Sequence, residues 1–218
     1  MKKINLKNIE FRQEQPKDYR ETETLVRDAF WNQFQPGCVE HYLMHIMRDA
    51  DVFIPELDIV AVYEGKIIGQ IAYLENNIVD DNDVKHPVVG IGPICVATEY
   101  EGNGIGGALI NYTKKIATKM GYPAVLLQGD PDYYSLKGFE PSKKYGIRTF
   151  DNKFAAAQQI SVLSEFDFTG RYVESEVYQV DMNAVEEFDK TFPTKEKMTG
   201  IRSQNKILKI IKMVEDYK

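Results

Sequence analysis

Residues 90–107 read Gly-Ile-Gly-Pro-Ile-Cys-Val-Ala-Thr-Glu-Tyr-Glu-Gly-Asn-Gly-Ile-Gly-Gly. An apolar run enters a glycine-dense turn. Beyond the turn, Ile105, Ala108, Leu109, Tyr112, Ile116 and Met120 recur at helical spacing, and Gly121 suits the C-cap. The reading is strand, turn, helix. Gly102, Gly104, Gly106 and Gly107 crowd the turn, so its main-chain N–H groups carry almost no side-chain cover. They lie at the positive end of the helix dipole, where a phosphate or pyrophosphate is held best.

Working outward, the next segment, Ala124–Gln128, is short and apolar, as expected of a central strand covered on both faces. Asp130-Pro131 then opens a short helix through Leu136, closed by Gly138-Phe139. Upstream, 57–63 and 66–74 form a hairpin around Glu64-Gly65, and 80–85 is an acidic loop leading to strand 88–97. Residues 5–13 alternate around Ile9 and Phe11 as a first strand. Pro16 begins a helix bearing Tyr19, Leu25, Val26, Ala29 and Phe30, and 39–50 forms a second helix. After 144 the pattern gives strands at 159–163 and 172–180, a helix at 183–190 and an amphipathic helix at 206–214.

Composition narrows the function class. The 218 residues are 43% apolar and 28% charged, as in a soluble globular chain, and no apolar run approaches the ~18 residues of a membrane span. A net charge of −6 argues against a nucleic-acid surface and fits a cationic small partner. The N-terminal segment lacks the apolar core of a signal peptide, so the expected location is the cytoplasm, with no membrane partner. Cys38 and Cys95 read as buried free thiols, and no Cys/His spacing suggests a metal site.

Three physical readings compete for the turn. A P-loop needs Gly-Lys-Ser/Thr, and here Gly107 is followed by Ala108-Leu109. A dinucleotide-binding oxidoreductase would use Gly102, Gly104 and Gly107 as Gly-x-Gly-x-x-Gly. It also needs repeated βαβ units, whereas two helices and an antiparallel hairpin precede this turn. Glycines present for packing alone do not account for four in six positions.

The segment Glu-Gly-Asn-Gly-Ile-Gly-Gly at 101–107 resembles the Gln/Arg-x-x-Gly-x-Gly/Ala signature of the GNAT acyltransferases. Tyr134-Ser-Leu-Lys-Gly138-Phe139 resembles the Tyr-x-x-x-Gly-Phe that follows the next strand in that superfamily. The order of elements over 5–150 matches, and Gly-Asp-Pro-Asp-Tyr-Tyr at 129–134 looks like a bacterial subgroup of N-acetyltransferases with a C-terminal extension. The resemblance implies an α/β (α+β) fold with a mixed, mostly antiparallel sheet flanked by helices and splayed at its centre. It implies a GNAT domain over 1–150, and an extension over 151–218 that completes the sheet and ends in an amphipathic helix. Glu101 stands where the family has Gln or Arg, and Asn103 where Lys or Arg is common, so main-chain donors must carry more of the phosphate binding.

The resemblance implies acetyl-CoA as co-substrate and no metal. Gly102, Asn103, Gly104, Ile105, Gly106 and Gly107 would hold the pyrophosphate, and strand Ile94-Cys95-Val96 the pantetheine arm, lying like an added strand. Tyr134 becomes the acid that protonates the departing thiolate. Glu75 is the first choice for a base, with Asp130, His41 and His45 behind it, and Asp130 also lines the acceptor side. Phe30 and Trp31, with Phe34 and Tyr42, would shape the acceptor pocket. The acceptor is a primary amine, either a small molecule or a peptide N-terminus, attacking directly, because Cys95 lies mid-strand with no histidine near it in sequence. A non-catalytic acyl-CoA sensor is the alternative. The apolar side of the last helix (Ile207, Leu208, Ile210, Ile211) could pack on its own domain or on a second copy in a homodimer.

Overall fold

The structure, a computed structural model, describes residues 2–217; the outermost residue of each expected segment, 1 and 218, lies outside them. Among the described residues nine strands form the main sheet in the order β1 (Glu10–Gln13), β2 (Ile59–Tyr63), β3 (Lys66–Val79), β4 (Lys85–Val96), β5 (Ala124–Gln128), β9 (Gln158–Val162) and β6 (Glu140–Pro141). Beside the distal end of β3 lies β10 (Gly170–Val173), which also pairs with β7 (Ile147–Arg148). Strands β8 (Lys153–Ala155) and β11 (Val214–Asp216) form a separate ribbon. Pairing within the described sheet is antiparallel except at β4–β5 and β7–β10.

Two helical layers cover the sheet. Ile105 and Leu109 of α3 (Ile105–Lys119) share a core with Ile71, Tyr73, Val89, Ile91, Val125 and Leu127. Helices α1 (Tyr19–Phe30) and α2 (Glu40–Met47) cover the other face, where Val26, Met44 and Met47 pack on Ala72, Leu74 and Cys95. Farther along that face Ile78, Val88, Leu126, Ile160 and Tyr172 form a separate cluster. The two faces follow from strand alternation: beyond the bulge at Ile68, odd residues of β3 face the α3 side and even ones the opposite side. The short helix α4 (Pro131–Tyr134) follows β5, and α5 (Met182–Asp189) and α6 (Arg202–Ile211) belong to the last third of the chain. No described helix is long and apolar enough to cross a membrane.

Several boundaries differ from the sequence reading, each for a local reason. The hairpin β3–β4 runs on to Val79 and Lys85, because Asp80 Oδ1 accepts the N–H groups of Asn82 (2.8 Å) and Val84 (3.0 Å) and folds a tight turn. The first strand begins only at Glu10, because Asn5 caps a 3₁₀ turn over Leu6–Asn8. The strand expected at 172–180 ends at Val173. There Asn76 Oδ1 takes the N–H of Ser175 (2.8 Å), and Ser175 in turn caps the turn Glu176–Tyr178. The last helix ends at Ile211 and gives way to β11, so the extension does not end in a helix. Ile210 is buried on it, while Leu208 and Ile211 stay exposed.

Candidate active site

The parallel ladder between β4 and β5 consists of Val89 opposite Val125 and Gly90 opposite Leu126. Past Gly90 the two strands part. β4 continues against β3 as far as Val96, and β5 against β9 as far as Gln128. Residues 91–96 therefore present main-chain groups to a wedge-shaped cleft. A bulge marks its inner end: β4 gains one residue between Ile91 and Ile94, at Gly92-Pro93. Proline has no N–H to leave unpaired, so it fits the point where the ladder breaks. Ile94 and Val96 are half-buried and pack at the margin of the α3 core. Cys95 points to the other face, beneath α1 and α2, and burial holds its thiol far above its ordinary pKa. Only its main chain can line the cleft.

The open end of the cleft meets the mouth of α3. Gly102 (φ 74°) and Gly104 (φ 80°) adopt left-handed backbone that a side chain would strain, and Gly104 is the N-cap. The N–H of Ala108 bonds the carbonyl of Gly104 (3.0 Å), so the amides of 104–107 lie before the helical ladder and remain free to face an anion. Asn103 has another task. Its Oδ1 accepts the Ile4 N–H (3.1 Å), and its Nδ2 donates to the carbonyls of Lys2 (2.7 Å) and Tyr100 (2.8 Å), tying the turn to the N-terminal segment.

Lys137 supplies the cation that positions 101 and 103 lack. A Cβ on Gly107 would come within 3.3 Å of Lys137 Cδ and Nζ, so the ammonium lies over the first turn of α3. A groove of about 440 Å³ runs between Leu6, Gly104, Gly107, Ala108, Asn111 and Leu136–Gly138. Lys114 braces its far wall, donating to the Lys137 carbonyl (2.9 Å), and burial pushes its pKa down to about 8.

Tyr134 stands at the end of β5. Its ring covers Gly129 and meets Phe139 and Tyr133 edge-on, at centroid distances of 5.7 Å and 5.0 Å. Its hydroxyl has no hydrogen-bond partner among the described residues, and burial raises it above the ordinary phenol value. Tyr133 lies across the mouth, with its hydroxyl beside Gly106.

A model of the acetyltransferase (GNAT) family matches residues 18–139, more than half of the chain. The chain belongs to the GNAT family of acetyltransferases. Among its relatives are two proteins of Escherichia coli named as uncharacterized N-acetyltransferases. YhbS is 32% identical over 63% of this chain and 77% of its own length. YjhQ is 36% identical over 40% of this chain, which spans only about half (48%) of YjhQ. The crystal structure of E. coli YhbS in complex with CoA has a TM-score of 0.69 at 26% identity, covering 79% of this chain and 93% of the other. A Brucella melitensis GNAT acetyltransferase in complex with acetyl-CoA shares the fold, with a TM-score of 0.62 at 23% identity over 78% and 97% of the two chains.

Within this GNAT fold the structure separates several residues that the sequence reading groups together. Glu75 is not beside Tyr134. It accepts from the Tyr122 hydroxyl (2.6 Å) in a different groove, with Met120, Gly121 and Pro123 at the C-terminal end of α3. Since α3 has 15 residues, that end is about 22 Å from the glycine turn. Asp130 caps α4 by accepting the Asp132 N–H (3.0 Å) and pairs with Lys206 of α6. Trp31 donates to the Glu196 carbonyl (2.8 Å) beneath the Arg27 guanidinium, and Phe30 packs on the α1–α2 core. Asp130 and Trp31 thus bond the last third of the chain, and Phe30 belongs to the packing under α1 and α2. His45 bonds Glu23 (2.9 Å), and His41 is buried between Phe188 and Phe192. Lys137 escapes the sequence reading although it precedes Gly138 in the motif itself.

Proposed function

We propose that this protein transfers an acetyl group from acetyl-CoA to a primary amine, by direct attack of the amine on the thioester in a ternary complex. The observation that carries the reading is the unpaired edge of β4 running straight into the free amides at the mouth of α3. A pantetheine arm has amides at strand-like intervals and can add to that edge, while its pyrophosphate meets the amides of 104–107 and Lys137. The CoA-bound relative YhbS supports the same co-substrate here.

The residues then divide the chemistry. A main-chain N–H of β4 near the bulge polarises the thioester carbonyl as it becomes anionic. The amine adds to the carbonyl carbon, the C–S bond breaks, and the Tyr134 hydroxyl gives its proton to the thiolate. A phenol raised by burial stays protonated until that moment. Cys95 takes no part, since its thiol is buried on the wrong face of β4, and this favours direct attack over an acyl-enzyme. The acceptor is a small amine or a peptide N-terminus.

The test is thiol release from acetyl-CoA across a panel of primary amines, with acetyl-CoA binding measured by calorimetry on the same protein. Turnover with at least one amine supports the reading. Tight binding with no turnover across the panel favours an acyl-CoA sensor. Absence of binding removes both.

A further inference from the structure

The groove that holds Glu75 has a volume of about 410 Å³ and a chemistry of its own. Its walls are Glu75 of β3, His86 and Pro87 of β4, residues 120–123 and Phe168. In register, Glu75 pairs with Val89 and Val89 with Val125, so the groove lies behind the closed end of the cleft, on the side away from the opening. The length of α3, about 22 Å, separates it from the glycine turn. Acetyl transfer as derived above uses none of these side chains.

The groove is negative at one end. Glu75 is half-buried, and its Oε2 accepts the Tyr122 hydroxyl (2.6 Å). Its Oε1 has no hydrogen-bond or ion-pair partner among the described residues. Burial raises the Tyr122 phenol above its ordinary value, and the carboxylates of Glu75 and Glu56 raise it further. The phenol therefore stays a donor to Glu75 throughout the neutral range. Helix α3 adds to the same field. It closes at Gly121 (φ 89°), with the Tyr122 N–H on the Ala117 carbonyl (3.1 Å), so the negative end of its dipole lies in the groove wall.

The other walls are apolar and fixed. The His86 ring lies flat on Phe168, with centroids 4.0 Å apart and 8° between planes, and Phe166 stacks on Phe168 in turn at 4.6 Å. Asp80 Oδ2 holds His86 Nε2 (3.1 Å), so any charge on that ring is balanced within the wall. Met120 stands exposed at the rim.

We propose that this groove binds a small organic cation, a primary ammonium group on a compact apolar body, at a site separate from the acetyl-transfer cleft. The ammonium donates to the free oxygen of Glu75 beside the carbonyl end of α3, and the apolar body lies against Phe168, Pro87 and Met120. The volume admits a body the size of one aromatic ring. A neutral molecule of the same shape forgoes the charge-assisted bond, and an anion is repelled.

The experiment titrates the full chain with benzylammonium at about pH 7, without acetyl-CoA, and follows backbone amide shifts by NMR. The amides of Glu75, His86, Gly121 and Tyr122 should shift together and saturate, with a dissociation constant of about 1 mM or lower. Benzyl alcohol, the neutral counterpart, should bind about tenfold more weakly. Glu75→Gln keeps an acceptor for Tyr122 and loses the charge, so benzylammonium affinity at these amides should fall about fivefold or more. Absence of shifts, shifts confined to 91–107, equal binding of the alcohol, or unaltered affinity in Glu75→Gln overturns the proposal, whether or not the protein acetylates amines. Should Glu75→Gln not fold, Met120→Lys is read instead, since Met120 is exposed: the tethered cation should weaken benzylammonium about fivefold, and an unchanged affinity sinks the proposal.

Discussion

The Tyr134 ring occupies the space that a side chain on Gly129 would need. A Cβ on Gly129 would overlap Cε2 of that ring and lie 2.8 Å from Cδ2 and 3.0 Å from Leu127 Cδ1. The glycine that ends β5 thus decides where the phenol stands. Gly129→Ala should displace the ring and lower kcat about tenfold or more, with acetyl-CoA affinity nearly unchanged. The same crowding should cost about 1–3 kcal/mol of stability. Steady-state kinetics beside thermal melting measures both, and a wild-type kcat would show that the ring's position is immaterial.

Tyr134→Phe removes the hydroxyl without touching the edge-on packing against Phe139. The expected loss is about 100-fold in kcat, with the acetyl-CoA dissociation constant unaltered. Because burial raises the phenol, the group remains a donor throughout the neutral range, and Tyr134 should impose no alkaline decline below about pH 10. A kcat profile falling between neutrality and that point would have to be assigned to another residue.

Lys137→Gln should weaken acetyl-CoA binding about tenfold and leave kcat at saturation unchanged, since its ammonium lies over Gly107 and away from the reacting carbonyl. The wild-type dissociation constant should rise with added salt more steeply than the variant's. Equal salt slopes would remove Lys137 from the phosphate site.

His41 links fold stability to pH. Burial among Phe188, Phe192 and Arg27 pushes its pKa down to about 4, against the pull of Asp189 at 3.2 Å. The unfolded chain binds a proton at this histidine below about pH 6.5, while the folded chain does not until about pH 4. Stability contributed through His41 therefore falls as the pH drops through that window and levels off below it. His41→Leu should gain about 3 kcal/mol relative to wild type between pH 7 and pH 4, read as the difference between two denaturant titrations. A constant difference would refute the shift.

The sequence made the core of the site legible because its signals are local. The glycines at 102–107 and the Tyr134–Phe139 segment each lie within a few residues, and Ala124–Gln128 is bounded as its apolar run suggests. Glu75 is misplaced because a hairpin pattern does not say which end of a 14-residue strand faces the cleft. The bend after Val173 has no local signal at all: it depends on Asn76 bonding Ser175, 99 residues away, and on a turn that overrides the strand pattern of 172–180. Lys137 is hidden differently: it sits inside a motif whose reading weighs Tyr134, Gly138 and Phe139, and its value shows only when its stem is seen lying on Gly107.

The parting of β4 from β5 leaves each strand supported on its outer flank alone, by β3 and by β9. Such a sheet behaves as two stiff plates joined at the hinge line of Gly90 and Leu126. A bound carrier that bridges the gap would turn the plates into one continuous slab. Amide protons along 91–96 should then exchange slowly with deuterium when the carrier is present and quickly when it is washed away, so that the enzyme's rigidity comes from its own co-substrate.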